Sequence, residues 1–125
     1  MIEIDQAREL LKAAMETQGR DFKYCESLTG CYYAPIEKTA EGIMLAPDDN
    51  RRKTGCLIGT ALTLAGETQH IGYPHRVSNM HKDFPGMMSN DTAEYFQEAQ
   101  NCQDAGNTWG ESYEAADGWH LKRKQ

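Results

Sequence analysis

The apolar positions divide the chain into helical stretches separated by short punctuation. Over 5–18, Ile4, Ala7, Leu11, Ala14 and Met15 recur at three- and four-residue spacing, the period of an amphipathic helix. Asp5 stands where an N-cap would, and Gly19 where a helix stops. The densest apolar run follows at 56–65, where Thr60 and Thr63 are the only hydroxyl-bearing residues. A helix that is apolar nearly all round is a buried one. This run is too short to cross a bilayer, which takes about 20 residues. Thr54 is placed to cap its first turn and Gly66 to end it in the left-handed conformation. Gly59 and Ala61 keep its surface thin, so another helix can approach closely.

The stretch between these helices is less regular. Residues 31–36 and 43–46 are short, apolar and rich in aromatic or branched side chains, with a polar turn between them. That pattern predicts a small β-hairpin near 31–46, its first strand pushed to an edge by Pro35. A purely helical 31–46 is the alternative. Residues 46–53 then form a charged loop. Val77, Met80, His81 and Phe84 predict a short helix at about 75–83, with Pro74 at its start. Met87 and Met88 suit a core gap. Asp91 and Glu94 have capping-box spacing, and Tyr95, Phe96, Ala99 and Cys102 give one apolar face. Gly106 ends that helix. Thr108 and Glu111 open another, which carries Trp109, Tyr113 and Ala116, with Trp119 adjoining. The short link predicts an antiparallel helical hairpin. The expected fold is mainly α: four to five helices packed around a central buried helix at 56–65, with the small β-hairpin. Residues 1–125 form a single domain in which 122–125 is a frayed basic tail.

Composition narrows the function classes. The chain has 125 residues, enough for one core. Its net charge is -6 and its pI about 5.1. Phosphate-contact binding of nucleic acid depends on Lys and Arg displacing counterions, so this balance argues against it. Arg51-Arg52-Lys53 and Lys122-Arg123-Lys124 are too small to reverse that. No apolar signal region follows Met1 and no run is long enough to span a membrane. Cys25, Cys31, Cys56 and Cys102 are accordingly expected as reduced thiols in a cytoplasmic protein.

Candidate chemistry is sparse. Cys56 falls in the first turn of the central helix, where the dipole favours a thiolate. Set against this, free Cys is also one of the most buried residue types. A cysteine enzyme would need His75, His81 or His120 within reach of that sulfur. His70, His75 and His81 lie close in sequence, but no zinc-type spacing occurs, and no metal or cofactor is expected. Residues 102–109 look like the Asp-box of sialidases with Cys in place of the first Ser. A single copy between two helical patterns reads better as a helix stop and a helix start. Asp104, Asn107 and Glu111 miss the calcium-loop spacing. Trp109, Tyr113 and Trp119 are of the type enriched at interfaces, although helical spacing also fits them to the core. Tyr24, Tyr32 and Tyr33 form a second aromatic group.

The order Gly55-Cys56-Leu57-Ile58-Gly59-Thr60-Ala61-Leu62, followed by Asn90-Asp91 and a helix, resembles small uncharacterised proteins of actinobacteria and their phages. The resemblance covers most of the chain, apart from the ending at 103–110 and the helix after it. That group has no established activity, so it implies a phage or mobile-element setting and no catalytic residue. The expected function is an accessory protein that binds a host or self protein through Trp109, Tyr113 and Trp119, with homo-oligomers included. The alternative is a small cysteine-dependent enzyme or thiol sensor using Cys56.

Overall fold

The computed structural model describes residues 1–24, 32–39, 41–73 and 75–123. Cys25 and Cys31 lie outside these, as does Pro74. Among the described residues there are five α-helices: α1 (Ile4–Gln18), α2 (Leu57–Leu64), α3 (Met80–Asp83), α4 (Asn90–Asp104) and α5 (Trp109–Arg123). Single turns of 3-10 helix stand at Asn50–Arg52 and Val77–Asn79. The short helix expected at 75–83 is thus a 3-10 turn running into one turn of α-helix. One core joins the helices, and Met87 and Met88 are part of it.

α2 is buried through Leu57, Ile58, Gly59, Ala61 and Leu62, while Leu64 at its far end is half exposed. The hub of the packing is α4, which touches α1, α2, α3 and α5. Its buried face is Thr92, Ala93, Tyr95, Phe96, Ala99, Gln100 and Gln103. α5 lies along it as the expected hairpin partner. Thr108 and Glu111 form a reciprocal capping box: the Thr108 N–H donates to Glu111 Oε1 at 3.0 Å, and the Glu111 N–H to Thr108 Oγ1 at 3.1 Å. α5 runs through Lys122 and Arg123, so those two residues are not a frayed tail. Arg123 is held over the Trp119 ring, 4.6 Å from its centroid, and bonds to Asp91 and Glu94.

Several helix starts differ from expectation. α4 is capped by Ser89, whose hydroxyl accepts the Thr92 N–H at 3.1 Å, rather than by Asp91. α1 has Glu3 at its cap with no side-chain bond, and Asp5 sits within its first turn, where a carboxylate favours the dipole. Ile2 instead ties this end to α4: its N–H donates to the Met87 carbonyl, and its carbonyl accepts from the Ser89 N–H and the Thr92 hydroxyl. At α2 the cap is Cys56, whose sulfur accepts weakly from the Gly59 N–H at 3.5 Å. The Thr54 hydroxyl donates to Gly55 O instead.

No strand forms among the described residues, and the β-hairpin at 31–46 is not present. What remains is one antiparallel bridge, Lys38 with Met44, beside a turn closed by Gly42 N–H to Thr39 O. The ladder stops because both ends are engaged elsewhere. The Ile36 N–H donates to Arg51 O at 2.8 Å, and the chain turns away at Ala46, whose carbonyl accepts from Asp49. Ile43 and Met44 therefore do not enter the core. They are 65 % and 62 % exposed.

The glycines of the central run have a different use from the one expected. A Cβ on Gly59 would stand 1.8 Å from the Tyr33 carbonyl oxygen, and one on Gly55 2.2 Å from it. α1 packs on α2 as well, but at Gly55 and Gly59 the close neighbour is thus the backbone at Tyr33. The Cys56 N–H to Tyr32 O bond at 2.8 Å fixes the same contact. This places segment 32–39 across the start of α2.

Candidate functional site: an apolar cleft beside Tyr33 and Tyr73

Tyr33 is the pivot of this region. Its hydroxyl donates to His75 O at 2.8 Å and accepts from Gln100 Nε2 at 2.8 Å. Burial pushes this phenol up to about 12, so it stays a neutral donor at physiological pH. The Gln100 that holds it also accepts the Val77 N–H at 3.0 Å. Gln100 belongs to a row on α4. Gln97 accepts the Ser78 N–H at 3.0 Å, and Gln103 accepts both the Leu57 N–H at 2.8 Å and the Trp109 indole N–H at 2.9 Å. One glutamine face thus terminates two helix starts and fixes Tyr33, work that free backbone N–H groups at a helix start require of some acceptor.

Against Tyr33 lies the loop 71–73. Tyr73 packs its ring on Tyr33, on Phe84 and on His75, with centroids 6.2, 5.1 and 5.5 Å away. Its hydroxyl donates to Asp83, and burial together with that carboxylate pushes this phenol up to about 12. Segments 32–36, Lys38–Thr39 and 71–73 then enclose a cleft of about 630 Å³. A volume of that order suits a bound group of drug-like size. Aromatic and aliphatic side chains dominate the lining. Among the described residues Lys38 is the one charged residue of the lining, and none of those lining it carries a carboxylate. The apolar surface also continues outside. Ile71, on one wall, is 61 % exposed, and the exposed Ile43 and Met44 adjoin the other wall through the bond from Thr39 N–H to Ile43 O and the Lys38–Met44 bridge.

The aromatic residues expected to bind a partner fall elsewhere, and they separate. Trp109 is fully buried: its ring meets Phe22 edge-on at 4.7 Å, and its backbone N–H donates to Phe22 O. It is a core residue and presents no surface, which corrects that expectation. Tyr113 and Trp119 are half-buried against the core. Tyr113 borders a shallow depression of about 410 Å³ with Asp5, Arg8, Glu9 and Lys12. There Arg8 is already bonded to Asp117, at 2.7 Å from Nε and 3.1 Å from Nη2.

Cys56 is disulfide-bonded and fully buried, and Cys102 is free. A sulfur so held offers no thiolate. The expectation of four reduced thiols is corrected, and cysteine usage no longer argues for a reducing compartment. Among the described residues no helix is long and apolar enough to cross a membrane. No group of three or more His, Cys, Asp and Glu side chains there could hold a metal ion. His75 is exposed and His81 half-buried, while His70 is fully buried. The Thr63 hydroxyl donates to Gly59 O, so it accepts from His70 Nε2–H at 3.1 Å. His70 Nδ1 has no partner among the described residues, and burial lowers the pKa of this ring. No protein-family model matches the chain, and neither a curated protein nor a solved structure matches it significantly.

Proposed function

We propose that this chain is a small accessory protein, carried by a phage or mobile element, that acts by binding a host or self protein. Its working surface is the cleft between 32–39 and 71–73 together with the rim at Ile43, Met44 and Ile71. The observation that carries this reading is the exposure of those three large apolar side chains around an apolar concavity. Contiguous exposed apolar surface of this kind marks interaction sites. The buried, disulfide-bonded Cys56 supports binding over the thiol alternative. The test is a tagged pull-down from lysate of the cell that carries the protein, quantified against tag alone and against a differently tagged second copy. Wild type should retain one saturable partner. Ile71→Asp, a change at an exposed site, should lose it, while Trp119→Ala should keep it. Loss with Trp119→Ala or Tyr113→Ala and retention with Ile71→Asp would move the surface to the C-terminal helix and sink this proposal.

A further inference from the structure

We infer that the cleft accepts an acidic, apolar segment of the partner chain: aliphatic or aromatic side chains with an Asp or Glu beside them. This rests on the reading of the cleft as the working surface and specifies the chemistry it selects.

Most polar groups on the lining are already committed. The Tyr33 and Tyr73 hydroxyl protons are already given, to His75 O and to Asp83. The Thr39 hydroxyl oxygen accepts the Ile43 N–H. Among the described residues Lys38 has no ion pair and the Tyr32 phenol no hydrogen-bond partner. Both side chains carry hydrogen-bond donors. Among the described lining residues the free donor capacity is therefore an ammonium, the Tyr32 phenol and the Thr39 hydroxyl proton, with no carboxylate opposed to them. Glu37, between Ile36 and Lys38 in sequence, is exposed and not part of the lining. In a chain of net charge -6, a concavity whose described lining carries a cation and no anion favours an anion by local complementarity. The rings of Tyr32, Tyr33 and Tyr73 with Ile36 and Ile71 supply the apolar floor and walls. The choice of a chain segment follows from the rim. Ile43 and Met44 lie beyond the cleft wall, and a molecule filling only the cleft would leave them to water. A segment crossing the turn covers both.

Two probes separate the chemistry from the site. The anionic dye 8-anilinonaphthalene-1-sulfonate and the neutral dye N-phenyl-1-naphthylamine are titrated by fluorescence into wild type, Lys38→Glu and Ile71→Asp. Far-UV circular dichroism and thermal melting confirm that each variant is folded. Wild type should bind both dyes. Lys38→Glu should weaken the anionic dye about tenfold and leave the neutral one within about twofold. Ile71→Asp should weaken both. A random dodecapeptide display library is then selected on wild type. Recovered peptides should be enriched in Asp or Glu among apolar residues and should bind neither Lys38→Glu nor the Ile43→Ser/Met44→Ser variant. If Lys38→Glu leaves the anionic dye unchanged, the anion preference is wrong while the apolar cleft stands. If peptides are recovered without acidic enrichment, or none is recovered while the anionic dye still binds through Lys38, the acidic segment is overturned. If neither dye binds wild type, the cleft itself fails as a site, and the proposed working surface with it.

Discussion

Replacing Gln103 by Leu removes one oxygen that serves two buried donors. The side chain is fully buried on α4, and its Oε1 accepts from the Leu57 N–H at the start of α2 and from the Trp109 indole N–H. Leu is close in size and cannot accept. Each buried donor left without a partner costs about 1–3 kcal/mol, so two cost about 2–6 kcal/mol. The added apolar burial returns about 1 kcal/mol. We expect a net loss near 3 kcal/mol by this balance. With an unfolding entropy of about 2.1 cal/mol/K per residue, a chain of 125 residues loses about 4 °C of Tm per kcal/mol, hence about 12 °C. Calorimetry of wild type and Gln103→Leu measures it. Trp109→Phe removes one of the two donors. The double variant should therefore be less destabilised than the sum of the singles, by about 1–3 kcal/mol. Gln97→Leu, at a half-buried position with the Ser78 N–H as backbone donor, should cost about 1 kcal/mol. A Tm drop below about 4 °C for Gln103→Leu, with no coupling to Trp109, would refute the shared-acceptor account.

Other consequences can be read from single residues. Gly59→Ala places a methyl 1.8 Å from the Tyr33 carbonyl oxygen, so it should cost more than about 3 kcal/mol in urea unfolding or prevent folding. A stable Gly59→Ala protein would contradict the close approach. Gly118 lies inside α5 with open space at its Cβ, and Gly118→Ala should stabilise by about 0.5–1 kcal/mol in the same assay. Burial holds His70 below its ordinary 6.5, so the unfolded chain takes up that proton first. Stability from this group is complete above about pH 6.5 and falls as the pH drops below it toward the folded-state value. The difference in urea midpoint between pH 7.5 and pH 5.5 should shrink in His70→Gln, and an unchanged difference would remove His70 as its source. In protein denatured without reductant, iodoacetamide should label Cys102 and spare Cys56, and reduction should cost about 2–4 kcal/mol. Labelling of Cys56 before reduction would exclude the disulfide.

The helices were legible because their signals are local. The spacing of Ala7, Leu11, Ala14 and Met15 and the pairing of Thr108 with Glu111 each act within a few residues. Caps were legible only to within a residue or two, since Ser89 and Asp91 both suit the start of α4 and the tie to Ile2 decides between them. The glutamine face was missed because Gln on a helix reads as solvated surface. Its one trace is the three-residue spacing of Gln97, Gln100 and Gln103. Trp109 was misplaced because a single aromatic residue near a helix start carries no sign of what covers it, and its cover, Phe22, is distant in sequence. The cleft lies between two aperiodic segments brought together by tertiary contacts. Tyr32 and Tyr33 stood out as an aromatic group, but nothing in sequence joins them to Ile71 and Tyr73. Gly55 and Gly59 were the nearest hint, since they admit a close neighbour without naming it.

The most direct measurement is an amide-resolved NMR titration of the protein with 8-anilinonaphthalene-1-sulfonate. The account predicts shifts concentrated in 32–39, at Ile43 and Met44, and in 71–73, with Trp119 and Tyr113 unmoved. Shifts centred on Tyr113 and Trp119, or spread evenly over the five helices, would contradict the cleft as the binding surface.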